Sequence, residues 1–409
     1  MSVRDQSHAV PSAPAGAANQ PVPRVLITCQ YYPPAVRAGG APRSIAAIVA
    51  EESSRSSIEI ITRNADLGTG RPFTTAETDP VDHALPTASI RRYSSARVWI
   101  AIWRRLRCRP AGFDILYLNS MFSPRYTLWP LLMMATGIAP RRRVLLAPRG
   151  ELNDGALAIK PYRKRVVGRL VRPLLIRLDL TWHASTVEEA ESVTRFLRRR
   201  EQPIFVRSDP AVAPALPSAP ENAHLTVSFV GRMVPIKNFE FLIRAARTLT
   251  APTTIVVAGI IEDQDYWSRC LDLIEHLPEH VSVDVVGHIE PAQVLEVLRR
   301  SDAMVLPTLG ENFGHAIAEA LSVGCPVIIP DTTPWTAVVA GGCGWVIDLE
   351  DPAGLRRALE ELAAEPRSTR YLARRAISDR YARWWAANQI HDRSLFAAAF
   401  DRCPTGTRS

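Results

Sequence analysis

Cysteine is sparse and unpatterned in this 409-residue chain. Its six cysteines, at 29, 108, 270, 325, 343 and 403, form no Cys-x-x-Cys. That argues against a zinc site and a disulfide framework, and it fits a reducing compartment. Long apolar runs are missing too. The longest lipid-like stretch, Tyr126–Ala139, is too short to span a bilayer and reads as a buried helix. Residues 1–23 are rich in Ala, Pro and Ser and have no apolar core of signal-peptide length, so they read as a disordered tail. No RNA- or DNA-binding motif is visible, which ranks nucleic acid last among partners.

What is present is a globular composition, 47% hydrophobic and 22% charged, with apolar material for a large core. The length has room for roughly two to three domains. Charge is uneven. Residues 1–205 hold 30 Lys and Arg against 16 Asp and Glu, net +14, and the remainder holds 19 against 25, net −6. A basic half beside an acidic half points to two domains with different partners.

Short β-branched runs alternate with helical patterns along the chain. The expected strands are 24–28, 58–62, 115–118, 144–147, 181–184, 226–230, 254–258, 281–286, 303–307 and 326–330. Unbroken apolar strands separated by helices indicate parallel sheets covered on both faces. One sheet is expected to end near Ala184 and a second to begin near Thr226, with the Pro/Ala/Ser segment Asp209–Pro220 between them. The fold class is therefore α/β: two tandem, Rossmann-like, doubly wound domains facing a cleft. The expected boundaries are a tail at 1–23, a first domain at 24–205, a linker at 206–220, a second domain at 221–380 and a helical segment at 381–403 returning to the first domain. Residues 67–88 lack periodicity and read as a long loop.

Each domain opens with a strand and a turn suited to phosphate. In the first, strand 24–28 leads through Gly39 and Gly40 to a helix, where glycines let backbone approach an anion at the helix N-terminus. A plain flexible loop is the alternative. In the second, Arg232 and Lys237 follow a strand and precede a helix, two cations suited to a diphosphate. Two surface charges on a loop are the alternative. Further on, Glu311 and Glu319 bracket a helix start, with Asn312, Phe313 and Gly314 between them. Eight positions apart, the carboxylates are not stacked as an i, i+4 pair, and they suit two polyol groups of an extended ligand better than one metal ion. Taken singly, a capping role for Glu311 and an exposed helix carboxylate for Glu319 remain open.

Together these stretches resemble the retaining, GT-B-fold glycosyltransferases of family 4. The Glu-x7-Glu pattern is Glu311–Glu319, the Gly-Arg-x4-Lys pattern is Arg232–Lys237, and the Gly-Gly loop is Gly39–Gly40. The likeness runs through most of the chain outside the tails and includes LAPRGELNDGALAIKPYRK and WHASTVEEAESV. It implies a hexosyltransferase that draws on a nucleoside-diphosphate sugar, UDP favoured over GDP, and acts on a glycan or lipid-linked acceptor in cell-surface polysaccharide or lipopolysaccharide assembly. It implies catalytic roles for Glu311, Arg232 and Lys237. Arg232 and Lys237 would hold the diphosphate, Glu319 the ribose, Glu311 the donor sugar, and Asn312, Phe313 and Gly314 would give backbone contacts. Gly39 and Gly40 would lie against the phosphates from the opposite domain.

The chain departs from the pattern in one respect. Many relatives carry a histidine after a first-domain strand, where this chain has LNSMFSP and LAPRGEL. The second matches a subgroup with Pro-Arg-Gly-Glu, so Arg149 and Glu151 are candidates for acceptor or sugar contact. An Arg–Glu pair bracing the loop is the alternative. His183 ends a strand before a Ser/Thr-rich turn and reads as structural, with lining the cleft as the alternative. Asp263–Asp265 formally matches a metal-binding Asp-x-Asp, but N-capping explains Asp265, and the resemblance implies that Arg and Lys manage the diphosphate, so no essential metal or other cofactor is expected. Lys160–Leu178 sets basic residues beside apolar ones, which suits either an anionic membrane face or an ordinary helix packed on its sheet. A cytoplasmic protein is expected, peripheral on the inner face of the cell membrane if the first of these holds. Two further readings stand beside transfer: a nucleotide-sugar 2-epimerase of the same fold, and a non-catalytic binding subunit.

Overall fold

The computed structural model describes residues 22–83, 88–108, 112–153, 161–178, 180–198, 202–218, 220, 222–389 and 394–397. The first 21 residues of the expected tail, Lys160, residues 390–393 and residues 398–409 lie outside the described residues.

Two parallel sheets organise the chain. The first contains β1 (Arg24–Thr28), β2 (Ser57–Arg63), β3 (Ala88–Tyr93), β4 (Ile115–Asn119), β5 (Arg143–Ala147), β6 (Thr181–Ala184) and β7 (Ile204–Val206), in the order 3-2-1-4-5-6-7. The second contains β8 (Leu225–Val230), β9 (Thr253–Ala258), β10 (Val281–Gly287), β11 (Ala303–Val305), β12 (Val327–Pro330) and β13 (Gly344–Ile347), in the order 10-9-8-11-12-13. Every pairing within each sheet is parallel. The central strands are buried on both faces: β4 is buried at all five positions and β12 at all four. That is why they read as unbroken apolar runs in the sequence.

Three strands escape the sequence reading, all at or near sheet edges. β3 is half-polar, β7 has three residues, and β13 opens on a glycine. The first sheet therefore extends past Ala184 to Val206. The segment read as a loop also holds a helix, Thr75–His83. It has no apolar stripe to betray it. Its start is held by the Glu77 carboxylate, which accepts from Thr74 N and Thr74 Oγ1, both at 2.8 Å.

Each sheet reverses its winding once, between β1 and β4 in the first and between β8 and β11 in the second. Doubly wound sheets bind ligands outside the carboxyl ends of the strands at such switch points. The two sheets have separate apolar cores, one on each face of the first sheet and a larger one throughout the second. The final long helix, Arg367–Asn388, belongs to the second core through Ile377 and Tyr381, and Tyr381 Oη donates to Val212 O at 2.6 Å. Leu395 and Phe396, by contrast, are buried against the first sheet.

Candidate active site

The loops after β1, β8 and β11 meet around one cavity. After β1 the chain reaches Gly39, at φ +79°, and enters helix Gly40–Glu52. A Cβ on Gly39 would stand 2.9 Å from Arg232 Nε, and one on Gly40 would stand 3.1 Å from His315 Cδ2. The paired glycines thus let the first domain's helix N-terminus lie directly against two residues of the second.

After β8 come Gly231 and Arg232, then a single turn, Pro235–Lys237, ahead of helix Phe239–Ala246. After β11 the loop is tied to that turn. Thr308 Oγ1 donates to Ile236 O at 3.0 Å, and Leu309 N donates to the same carbonyl at 2.8 Å. The tie sets Glu311 beside Lys237, and the two form a nearly buried ion pair. Trp335 Nε1 donates to Phe313 O at 2.5 Å, which fixes the loop before helix His315–Ser322 begins.

Arg43 reaches across from the first domain to Glu319, with Nη1 to Oε1 at 2.7 Å. Glu319 is 9% exposed, and its other oxygen, Oε2, is buried with no hydrogen-bond partner among the described residues. Burial raises its pKa, opposed by Arg43. Arg232 pairs with Glu262 at 2.5 Å. Gly39, Gly40, Arg232, Lys237, Glu311 and Glu319 line one cavity of about 640 Å³ between the sheets. Asn312, Phe313 and Gly314 line it too, but the Asn312 side chain also reaches the first domain, donating from Nδ2 to Ser185 Oγ at 2.7 Å.

Arg149 also faces this cavity, with its guanidinium already engaged. It pairs with Asp209, donates to Tyr117 Oη at 2.7 Å and donates to Asn119 Oδ1 at 2.5 Å. Glu151 lies apart from it. That carboxylate accepts from Met121 N at 2.7 Å, Phe122 N at 2.9 Å and Ser120 Oγ at 2.9 Å, so it braces the loop after β4. No Arg149–Glu151 pair forms among the described contacts. His183 is buried between Tyr117 Oη, 2.9 Å from Nδ1, and Arg207 O, 3.1 Å from Nε2. Burial drops its pKa to about 3. In the Asp-x-Asp stretch the cap is Asp263 rather than Asp265, since Asp263 Oδ1 accepts from Tyr266 N at 2.9 Å. Among the described residues no cluster of three or more His, Cys, Asp or Glu is placed to hold a metal ion.

Among the cavity residues to which the sequence reading gives no role are Arg43, Ser44, Asp209 and His315. Arg43 and Ser44 follow the Gly-Gly pair by three and four positions, so the same local stretch signals them. Asp209 sat in what read as linker, and His315 opens the helix between the two glutamates. Their meeting is a tertiary event. A second cavity, about 700 Å³, lies beyond Phe313 and is lined by Ser185, Arg207, Trp335, Trp384 and Asn388. Among the described residues its lining holds one cation, Arg207, against Arg37, Arg43, Arg149, Arg232 and Lys237 in the first cavity, so the first is the better match for an anionic ligand.

Residues 218–379 match the family described as glycosyl transferases group 1. Among curated proteins, the chain is 30% identical over 150 residues to a D-inositol 3-phosphate glycosyltransferase of Gordonia bronchialis, covering 34% of this chain and 33% of that one. It is 24% identical over 261 residues to a phosphatidyl-myo-inositol mannosyltransferase of Mycobacterium leprae, covering 61% and 64%. The matches thus span about a third to two thirds of these relatives' length. Among solved structures, sucrose-phosphate synthase from Thermosynechococcus elongatus aligns with TM-score 0.69 at 16% identity, covering 93% of this chain and all of that one. Anabaena Alr3699/HepE in complex with UDP-glucose aligns with TM-score 0.64 at 15% identity, covering 89% and 100%. The chain has the GT-B fold of two facing parallel-sheet domains, and residues 218–379 carry the pattern of the group 1 glycosyl transferases.

Proposed function

We propose that the chain is a retaining glycosyltransferase that moves a hexose from a nucleoside-diphosphate sugar, UDP favoured, to a glycan or lipid-linked acceptor in cell-surface polysaccharide assembly. The observation that carries the reading is the convergence of Arg232, Lys237, Glu311 and Glu319 on one interdomain cavity at both switch points. Arg232 and Lys237 hold the diphosphate. Glu319, with one oxygen unpartnered, takes the ribose hydroxyls, and Glu311 takes the donor sugar. As the bond from the sugar's anomeric carbon to the phosphate oxygen breaks, the two cations and the facing helix N-termini stabilise the charge that develops. The acceptor oxygen forms the new bond on the same face, and its proton passes to the departing phosphate. No protein nucleophile and no essential metal take part. The likeness to Anabaena Alr3699/HepE in complex with UDP and with UDP-glucose supports the choice of base.

Contact with an anionic membrane face belongs to the same proposal. Helix Pro161–Leu178 buries Val171 and Leu175 but leaves Arg169, Arg177 and a 74% exposed Leu170 on its other side. Leu132, on helix Trp129–Ala135 packed beside it, is exposed as well. No described helix is long and apolar enough to cross a membrane.

The test is a thermal-shift panel of nucleotide sugars on wild type and Lys237→Ala, with and without EDTA. One nucleotide sugar should raise the wild-type melting temperature by mass action, insensitively to EDTA, and fail to raise that of Lys237→Ala. If no nucleotide sugar shifts the wild type, the transfer reading falls and a non-catalytic binding role replaces it.

A further inference from the structure

The cleft floor holds a hydrogen-bonded chain that the donor-gripping residues do not use. Arg149 donates to one oxygen of Asp209, and Ser44 Oγ donates to the other at 2.6 Å. A serine hydroxyl has a single proton, and here Asp209 receives it. The 2.8 Å contact between Ser44 Oγ and His315 Nε2 therefore needs the imidazole as donor. In a neutral ring that places the proton on Nε2 and leaves Nδ1 a bare acceptor. Nδ1 has no hydrogen-bond partner among the described residues, and the ring lines the cavity. It is clamped between the backbone of Gly40 and the ring of Phe313, whose centroid lies 4.9 Å away. The charged groups acting on it are Asp209 from the segment between the domains, Arg43 and Arg149 from the first domain and Glu311 from its own. Burial dominates and lowers its pKa to about 4, so the ring is neutral at pH 7.

A phosphate oxygen has only lone pairs to offer, and so has Nδ1. The group that satisfies Nδ1 must bring a proton, and a sugar hydroxyl does. We propose that His315 reads a carbohydrate hydroxyl, its Nδ1 accepting the hydrogen bond of a sugar O–H in the cleft, while Ser44, Asp209 and Arg149 are positioning residues that lock the tautomer. The inference rests on the glycosyl-transfer reading. The hydroxyl belongs either to the donor's sugar or to the acceptor.

The test has two arms. In the first, imidazole ¹H–¹⁵N correlation spectra of labelled protein, assigned with His315→Gln, should show His315 as the Nε2–H tautomer at neutral pH, with the preference lost in Ser44→Ala and Asp209→Asn. An Nδ1–H tautomer or an imidazolium overturns the proposal. In the second, UDP-glucose, UDP-galactose and GDP-mannose are compared with their bare diphosphates in binding and turnover. His315→Gln, which keeps a donor toward Ser44 but has no acceptor at Nδ1, should lower use of the cognate nucleotide sugar by on the order of tenfold. Its affinity for the bare diphosphate should stay within about twofold. His315→Asn, whose Oδ1 falls near the Nδ1 position, should retain more function than Gln. Equal loss for sugar and bare diphosphate, or Asn worse than Gln, overturns the proposal. Slower acceptor-free hydrolysis assigns the hydroxyl to the donor, and a raised acceptor KM alone assigns it to the acceptor. If no nucleotide sugar binds wild type, the transfer reading itself has failed, and this inference falls with it even where the tautomer is locked.

Discussion

Removing the Asp209 carboxylate should destabilise the protein far more than a loop substitution would. Asp209 and Arg149 have side chains only 1% and 6% exposed, and they pair with each other. Burial alone would raise the Asp209 pKa, but Arg149 and the Ser44 hydroxyl hold it below the ordinary carboxylate value, so it is charged at neutral pH. Asp209→Ala leaves a buried guanidinium with only the neutral partners Tyr117 and Asn119. Stranding one member of a buried pair costs about 3–5 kcal/mol. For a domain of this size that is a fall in melting temperature of roughly 6–20 °C. Urea unfolding of the full chain, followed by circular dichroism, measures the change. Arg149→Met combined with Asp209→Leu removes both charges and should cost less than the sum of the single changes, with a coupling of about 1 kcal/mol or more. A loss under about 1 kcal/mol in Asp209→Ala, with strict additivity in the double variant, would refute the reasoning.

Three further outcomes follow from the same geometry. Gly39→Ala forces a side chain into a left-handed φ and pushes Arg232 aside, so nucleotide-sugar affinity by calorimetry should fall about tenfold while the fold survives. Gly150→Ala, at φ +72°, sets a Cβ 2.8 Å from Asn312 Cβ, where the second domain seats on the first. Small-angle scattering should then report a larger radius of gyration than wild type. Stability should also fall in acid. The buried histidines His183 and His315 have pKa values lowered to about 3 and about 4 from an ordinary 6.5. Their neutral burial is fully tolerated above pH 6.5, and that stability is lost as pH falls from 6.5 toward 4, because only the unfolded chain takes up the protons. His315→Gln should flatten part of this decline in melting temperature.

The fold was legible where burial imposes a pattern. Strands such as β4 and β12 have no solvent face, so an apolar run bounded by turns reveals them. β3 and helix Thr75–His83 lie half in water and carry the polar residues water permits, which erases the period. The site divides the same way. Arg232 with Lys237, and Glu311 with Glu319, are close in sequence because single loops carry them. The contacts that join the domains are set by tertiary packing: Arg43 and Glu319 are 276 positions apart, Ser44 and His315 are 271 apart, and Ser44 and Asp209 are 165 apart. No local spacing encodes these meetings. Asp209 read as linker because its neighbours are Pro, Ala and Ser, and only the fold places its carboxylate beneath the cleft.

The most direct test of the cleft as a nucleotide-sugar site is amide hydrogen exchange of wild type with and without UDP. Protection should appear together at residues 231–238, at 310–319 and, across the cleft, at 39–46, and it should vanish in Lys237→Ala. Protection confined to the other cavity, around Trp335 and Trp384, or none at all at saturating UDP, would contradict the account.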